Sequence, residues 1–177
     1  MDLLNGAIDK AKQAVLTRHP NINTVLLEKQ ARAIGINAVK YADLSCPRQH
    51  DYAFSYARML NFDGNTALYL MYAYVRIMSL KTKAPHAWQA IDSIDQLSLS
   101  HPCEIELAIH LIRFPEAIDA FQQHHMPNRL TDYLYELSTC FHHFFQACQV
   151  IGSQQETPRM ALCFLTHRVF EQGFDLL

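Results

Sequence analysis

Apolar residues recur every three or four positions along nearly the whole chain, and no sustained alternation of apolar and polar residues interrupts them. That period predicts a string of helices. "DLLNGAIDKAKQAVL" reads as the first, ended by "RHP" before Pro20. Asn23 or Thr24 can cap a second, "VLLEKQARAI", with Gly35 as its C-terminal stop. "INAVKYADLS" is then a short third helix or a turn, and "DYAFSYARML" leads through the turn-like "NFDGN" into a long helix. Asn65 or Thr66 caps that helix, which runs to Lys81 or Lys83 ahead of Pro85. Residues 84–101 form a connection with a helical piece around Trp88. Pro102 and Pro115 each open a further helix, since proline suits a first turn and disrupts an interior. "NRLTDYLYELSTCFHHFFQACQVIG" reads as one long helix closed by Gly152, and Thr157-Pro158 opens the last. The expected fold class is all-α, a helical bundle.

The helix after "NFDGN" is apolar nearly all round. Leu68, Met71, Val75 and Met78 fall on one stripe expected to face a core. Tyr69, Tyr72 and Arg76 form a neighbouring stripe, with Leu70, Tyr74 and Ile77 filling much of the rest, so the helix is expected to be central and contacted on several sides. Tyrosines spaced this way serve either as interior packing with a satisfied hydroxyl or as a platform on which bases stack. Spacing alone does not decide between them. An arginine one turn beyond Tyr72 adds a group that can hold phosphate or a base edge.

Charge sharpens the picture. The net charge of −2 is unevenly spread: residues 1–39 carry +2, residues 40–90 carry +3 and residues 91–177 carry −7. A basic stripe for nucleic acid therefore belongs in the first half, or depends on side chains other than lysine. Seven of the ten histidines lie in the acidic half, where protonation would reduce its charge. Five cysteines without a C-x-x-C pair read as reduced thiols in a cytosolic protein. No apolar run is long enough to cross a bilayer, and the opening lacks the order of a signal peptide, so membrane partners are not expected and the expected location is cytoplasmic.

Catalytic signatures are absent: no G-x-S-x-G, H-E-x-x-H, P-loop or G-x-G-x-x-G occurs. Glu136, Cys140 and His143 fall at metal-compatible helical spacing but read as a core cysteine with polar neighbours, so no metal site is assigned. The five glycines read as markers of helix ends and turns rather than of a phosphate-cradling loop.

The strings "AIGINAVKYADLS", "DYAFSYARML", "GNTALYLMYAYVRIMSL", "HPCEIELAIHLIRFPEAI", "RLTDYLYELSTCFHHFF" and "GFDLL" occur in one order across most of the chain. Together they resemble the C-terminal part of arginyl-tRNA synthetases, the class I enzymes that join arginine to its tRNA. The resemblance implies a helical stem-contact region at residues 1–61, the tail of the catalytic unit, and an anticodon-binding helical bundle of the class I synthetase type at residues 62–177. The family pattern Y-x-x-Y-x-x-x-R falls on Tyr69, Tyr72 and Arg76, and "NFDGNT" matches the loop ahead of that tRNA-contacting helix, placing Asn61 and Asn65 beside it. Phe145 stands where the family often carries a tyrosine near the anticodon loop. These six residues are the expected tRNA-binding set; no catalytic residue is expected.

The implied partners are the anticodon stem-loop of tRNA(Arg) and a catalytic domain that is not among these residues, with no role for DNA. The implied activity is ATP-dependent arginine–tRNA ligation by the whole enzyme, with ATP and Mg as its requirements and none assigned to this chain, which is expected to be inactive alone. Departures from the family are Leu68 for a common proline, Met71 for a common glutamine, Phe145 for tyrosine, and the absence of a short tail after Leu177 that approaches the anticodon. An alternative is a freestanding anticodon-binding-like module that delivers tRNA to a modifying or regulatory partner.

Overall fold

The computed structural model describes residues 2–93 and 96–177. The helices are α1 (Asp2–Arg18), α2 (Thr24–Ser45), α3 (Tyr56–Met59), α4 (Ala67–Lys83), α5 (Pro85–Gln89), a 3-10 turn (Ala90–Ser93), α6 (Pro102–Ile112), α7 (Phe114–His124), α8 (Pro127–Ala147) and α9 (Glu156–Leu176). Among the described residues there is no strand, so the fold is all-α. The chain divides into two compact units, Met1–Tyr69 and Leu70–Leu177; the boundary expected at residues 61 and 62 lies in the loop before α4.

In the first unit α1 and α2 lie antiparallel: Lys12 pairs with Glu28, while Ala7 and Ile8 lie against Gly35. The seam is built from small residues, with Ala7, Ala11, Ala31 and Ala38 all buried, which lets two helix backbones approach closely. Asn23 caps α2, its side chain accepting hydrogen bonds from the Val25 and Leu26 amides at 2.9 and 3.4 Å. Gly35 does not end the helix. It sits inside an uninterrupted α2 that also absorbs "INAVKYADLS", because a Cβ at this position would lie 2.7 Å from the Ile8 nitrogen and 2.8 Å from the Ala7 carbonyl carbon.

Those neighbours are backbone atoms, which cannot rotate away. Gly35→Ala is therefore expected to destabilise the first unit by about 1–3 kcal/mol, outweighing the roughly 1 kcal/mol that alanine gains in helix propensity. Gly173→Ala is the comparison: the atoms nearest its Cβ would be those of the Leu134 side chain, the methyls at 2.8 Å, which can rearrange. Thermal unfolding of the two variants followed by circular dichroism checks the order; a Gly35 variant at least as stable as wild type would contradict it.

In the second unit α8 is central, packing on α6, α7 and α9 through Leu130, Leu134, Leu137, Phe141 and Phe144. Helix α8 ends at Ala147, short of Gly152. Cys148 becomes extended and the chain buries Cys148 and Val150, and Gly152 then turns the chain with a φ of +75° before α9. His110 and Tyr133 tie α6 to α8: the rings stack at 4.5 Å, and the Tyr133 hydroxyl donates to the His110 carbonyl at 2.9 Å.

The stripe expected to bury α4 is displaced by two positions. Leu68 is buried, but Met71 and Met78 are half-buried and Val75 is 60% exposed. The core-facing positions are Leu70, Ala73, Ile77 and Leu80, again at i, i+3, i+7 and i+10. The helix is thus not enclosed on all sides. Tyr74 lies against α9, stacked with His167 at 5.2 Å and edge-on to Phe174 at 5.7 Å. The flank carrying Tyr72, Val75 and Ser79 faces solvent.

A buried carboxylate locks one end of this unit. Glu104 has no exposed surface; its Oε2 accepts from the Ser100 and His101 amides at 2.8 and 3.0 Å, completing a capping box at the start of α6. Its Oε1 accepts from Arg159 Nε at 2.6 Å, and Arg159 also donates to the Gln149 carbonyl at 2.8 Å. One side chain thus joins α6, the 148–155 turn and α9. Burial pushes the Glu104 carboxyl up, but the His101 amide, Arg159 and the Ser100 amide outweigh it and hold the group below its ordinary range.

Candidate nucleic-acid interface

On the exposed flank of α4, Tyr72 and Arg76 are one helical turn apart, so their side chains meet. The Arg76 guanidinium carbon lies 4.2 Å from the centre of the Tyr72 ring and 5.0 Å from that of Phe145, which α8 brings alongside. Arg76 Nη2 also donates to the Tyr72 hydroxyl. A guanidinium held against two rings keeps its charge and loses much of its rotational freedom before any ligand arrives. Tyr72 remains 43% exposed, and Arg76 and Phe145 are half-buried, so part of this cluster is open to solvent.

Beneath them lies a residue that the sequence did not suggest. His142 is buried on α8, its ring 5.7 Å from Tyr72 and 6.3 Å from Phe141. Burial, then the charges of Arg76 and His143, push its pKa down to about 4, so it is neutral near pH 7 and adds no second charge under the arginine. Its spacing of three from Phe145 on one helix is the only signal it gives in sequence, and that becomes informative once Tyr72 and Arg76 of α4 are known to meet α8 side chains.

The remaining predicted residues sit elsewhere. Tyr69, half-buried, is the last residue of the first unit, and its amide donates to Thr66 Oγ1 at 3.3 Å, making Thr66 the cap of α4. Asn61 and Asn65 are exposed but engaged in shaping the turn. Asn61 Oδ1 accepts from the Asp63 amide at 3.2 Å, the Asn61 carbonyl accepts from Thr66 Oγ1 at 2.7 Å, and Asn65 Oδ1 accepts from the Tyr41 hydroxyl at 2.6 Å. Gly64, with a φ of +85°, supplies the reversal that these bonds enclose. The structure thus brings together Tyr72, Arg76 and Phe145; Asn61, Asn65 and Tyr69 lie in the first unit.

Other chemistry is poorly supported by the geometry. Cys140 contacts Glu106 at 3.9 Å, and burial, Glu106 and Glu136 push its thiol up to about 11, so it stays protonated. Among the described residues no group of three His, Cys, Asp or Glu side chains could hold a metal ion, and no helix is long and apolar enough to cross a membrane.

The family described as "DALR anticodon binding domain" matches residues 70–177, which is the second compact unit. The chain belongs to this family. Within its DALR unit lies the Tyr72–Arg76–Phe145 surface. Residues 1–56 match "tRNA synthetases class I (R), catalytic domain". The whole chain is 44% identical to an arginine–tRNA ligase of Protochlamydia amoebophila, covering 30% of that protein. It resembles a solved arginyl-tRNA synthetase of Plasmodium falciparum with a TM-score of 0.86 at 31% identity, over 99% of this chain and 31% of that one. The Thermus thermophilus arginyl-tRNA synthetase shares the fold, with a TM-score of 0.82 at 23% identity over 99% of this chain and 30% of that one. The chain therefore spans about 30% of the length of the curated relatives it matches.

Proposed function

We propose that this chain is the tRNA-recognition part of an arginine–tRNA ligase, and that its DALR unit reads the unpaired anticodon nucleotides of tRNA(Arg) across Tyr72, Arg76 and Phe145. The observation that carries the reading is the clamped guanidinium: one fixed charge flanked by aromatic faces, on a solvent-facing helix flank, inside a unit of the anticodon-binding family. Single-stranded RNA is read by splaying bases out, stacking them on aromatic planes and bonding their edges. Each such stack contributes on the order of 1–3 kcal/mol. Phe145 offers a stacking face without a hydroxyl. In the first unit, Asn61, Asn65 and Tyr69 are proposed as tRNA contacts in their own right, the first two by presenting a preshaped loop.

Arginine activation with ATP and Mg we assign to the remaining length that the related ligases possess. This chain alone is expected to show no ligation. Similarity to arginine–tRNA ligases across the whole chain favours this over a freestanding module that delivers tRNA elsewhere. The setting is proposed to be cytoplasmic.

The test is binding of an arginine-tRNA anticodon hairpin by the 177-residue chain at rising salt. A near-neutral surface with one central arginine makes few phosphate contacts, so the affinity is expected to fall shallowly with salt, with a slope corresponding to about one to three phosphates. Steep salt dependence with equal affinity for any RNA hairpin would contradict the proposal and indicate electrostatic adhesion.

A further inference from the structure

We propose that the outer face of α6 is a self-complementary surface on which two copies of this chain pair antiparallel about a two-fold axis. Ile105, Ile109 and Ile112 are 43, 55 and 77% exposed and, at i, i+4 and i+7, share one face of the helix. The opposite face is spent on the core, burying Glu104, Leu107, His110 and Leu111. Scattered exposed isoleucines are ordinary, but three adjacent on one short helix form a patch of the kind that marks an interaction site. The patch borders a groove of about 540 Å³ that Ile105 and Ile109 line together with Pro102, Glu106, Arg113 and Cys140, while the buried His110 also lines it.

Charge placement selects the occupant. Glu106 and Arg113 are seven residues apart, two turns along the same flank of the isoleucine stripe. In a two-fold pair, each patch meets its own copy. With the helices antiparallel, positions equidistant from the midpoint between Ile109 and His110 face each other. Glu106 of each copy then meets Arg113 of the other, twice, with the isoleucines between them. A parallel pair would instead place like charges at one level and on opposite flanks.

Neither charge is firmly committed within the chain. Arg113 holds Glu116 at 3.2 Å in an exposed pair, a contact that contributes little. Glu106 neighbours the Cys140 thiol, not a cation. One helix face is small, so the pair sits at the weak, reversible end of protein interfaces.

Sedimentation equilibrium of the full chain, from low to high micromolar concentration at low salt, tests this. Wild type is expected to dimerise with concentration. Glu106→Arg and Arg113→Glu each place like charges together and are expected to weaken the dimer by about tenfold or more. The double variant restores opposite charges and is expected to return to within about threefold of wild type. Ile109→Asp is expected to leave a monomer. All three substituted positions are exposed, and melting curves verify that each variant is folded. A chain monomeric throughout, a dimer indifferent to these variants, or a double variant as weak as either single would each overturn the proposal.

Discussion

Replacing Arg76 by alanine is expected to weaken binding of an arginine-tRNA anticodon hairpin by about tenfold to a hundredfold, a loss of roughly 1.4–2.8 kcal/mol. The side chain sits between the Tyr72 and Phe145 rings at 4.2 and 5.0 Å, so truncation removes the charge and also the group that braces both aromatic faces. Stability should change little: Arg76 is half-exposed and its hydrogen bond runs to Tyr72 on the same helix, and alanine is the better helix former. Arg76→Lys separates the two contributions. Lysine keeps the charge but cannot present a planar, two-pronged edge, so it should retain the salt-dependent part of the affinity while losing preference among loop sequences. Fluorescence anisotropy with a labelled hairpin measures both. Unchanged affinity in the alanine variant would remove Arg76 from the interface.

Glu104→Ala is expected to have the largest effect on stability, about 3–5 kcal/mol, because it leaves one partner of a buried pair uncompensated. Arg159, whose side chain is only 15% exposed, would lose its carboxylate, and two amides at the start of α6 would lose their acceptor. The melting temperature should fall by roughly 10 °C or more. The pH dependence has a definite sign. The Glu104 carboxyl is held below its ordinary 4.5, so its stabilisation is present above pH 4.5 and is lost as pH falls through the lowered folded value. His142, pushed down from 6.5 to about 4, also makes the unfolded chain bind more protons, so stability declines between those two values as pH falls. Wild type should therefore lose stability in two stages on acidification, and the Glu104 variant should keep the first and lose the second. A variant with wild-type stability at neutral pH, or with an unaltered acid limb, would contradict this account of α6.

The helical order was legible because most elements carry their own punctuation. Pro102, Pro115 and Pro158 each fall within the first turns of helices, and Asn23 caps α2 as its position suggested. Misreadings arose where a residue answers to a partner distant in sequence. Gly35 resembles a stop signal, yet it is kept by the backbone of α1 lying against it. Helix α4 is apolar on nearly every flank, so periodicity favoured the stripe of Met71 and Val75, two residues short of the Ala73 and Ile77 that face the core. Helix α8 gives up its last predicted turn to bury Cys148 and Val150, a gain visible only once the core exists.

The candidate interface divides along the same line. Tyr72 and Arg76 share a helix, and their spacing alone places them together. Phe145 lies 69 positions beyond Arg76 and was reached only through family resemblance, while His142 required the folded contact between its ring and Tyr72. Asn61 and Asn65 were legible as turn residues, but their bonds to Asp63 and Tyr41 emerge from the folded loop.

The most direct measurement of the central claim is binding of two altered hairpins to the wild-type chain, one with the middle anticodon base replaced and one with a stem base pair reversed. If unpaired nucleotides lie across Tyr72, Arg76 and Phe145, the loop change should cost about tenfold or more in affinity and the stem change nearly nothing. Equal affinity for both hairpins, or a greater loss from the stem change, would contradict it.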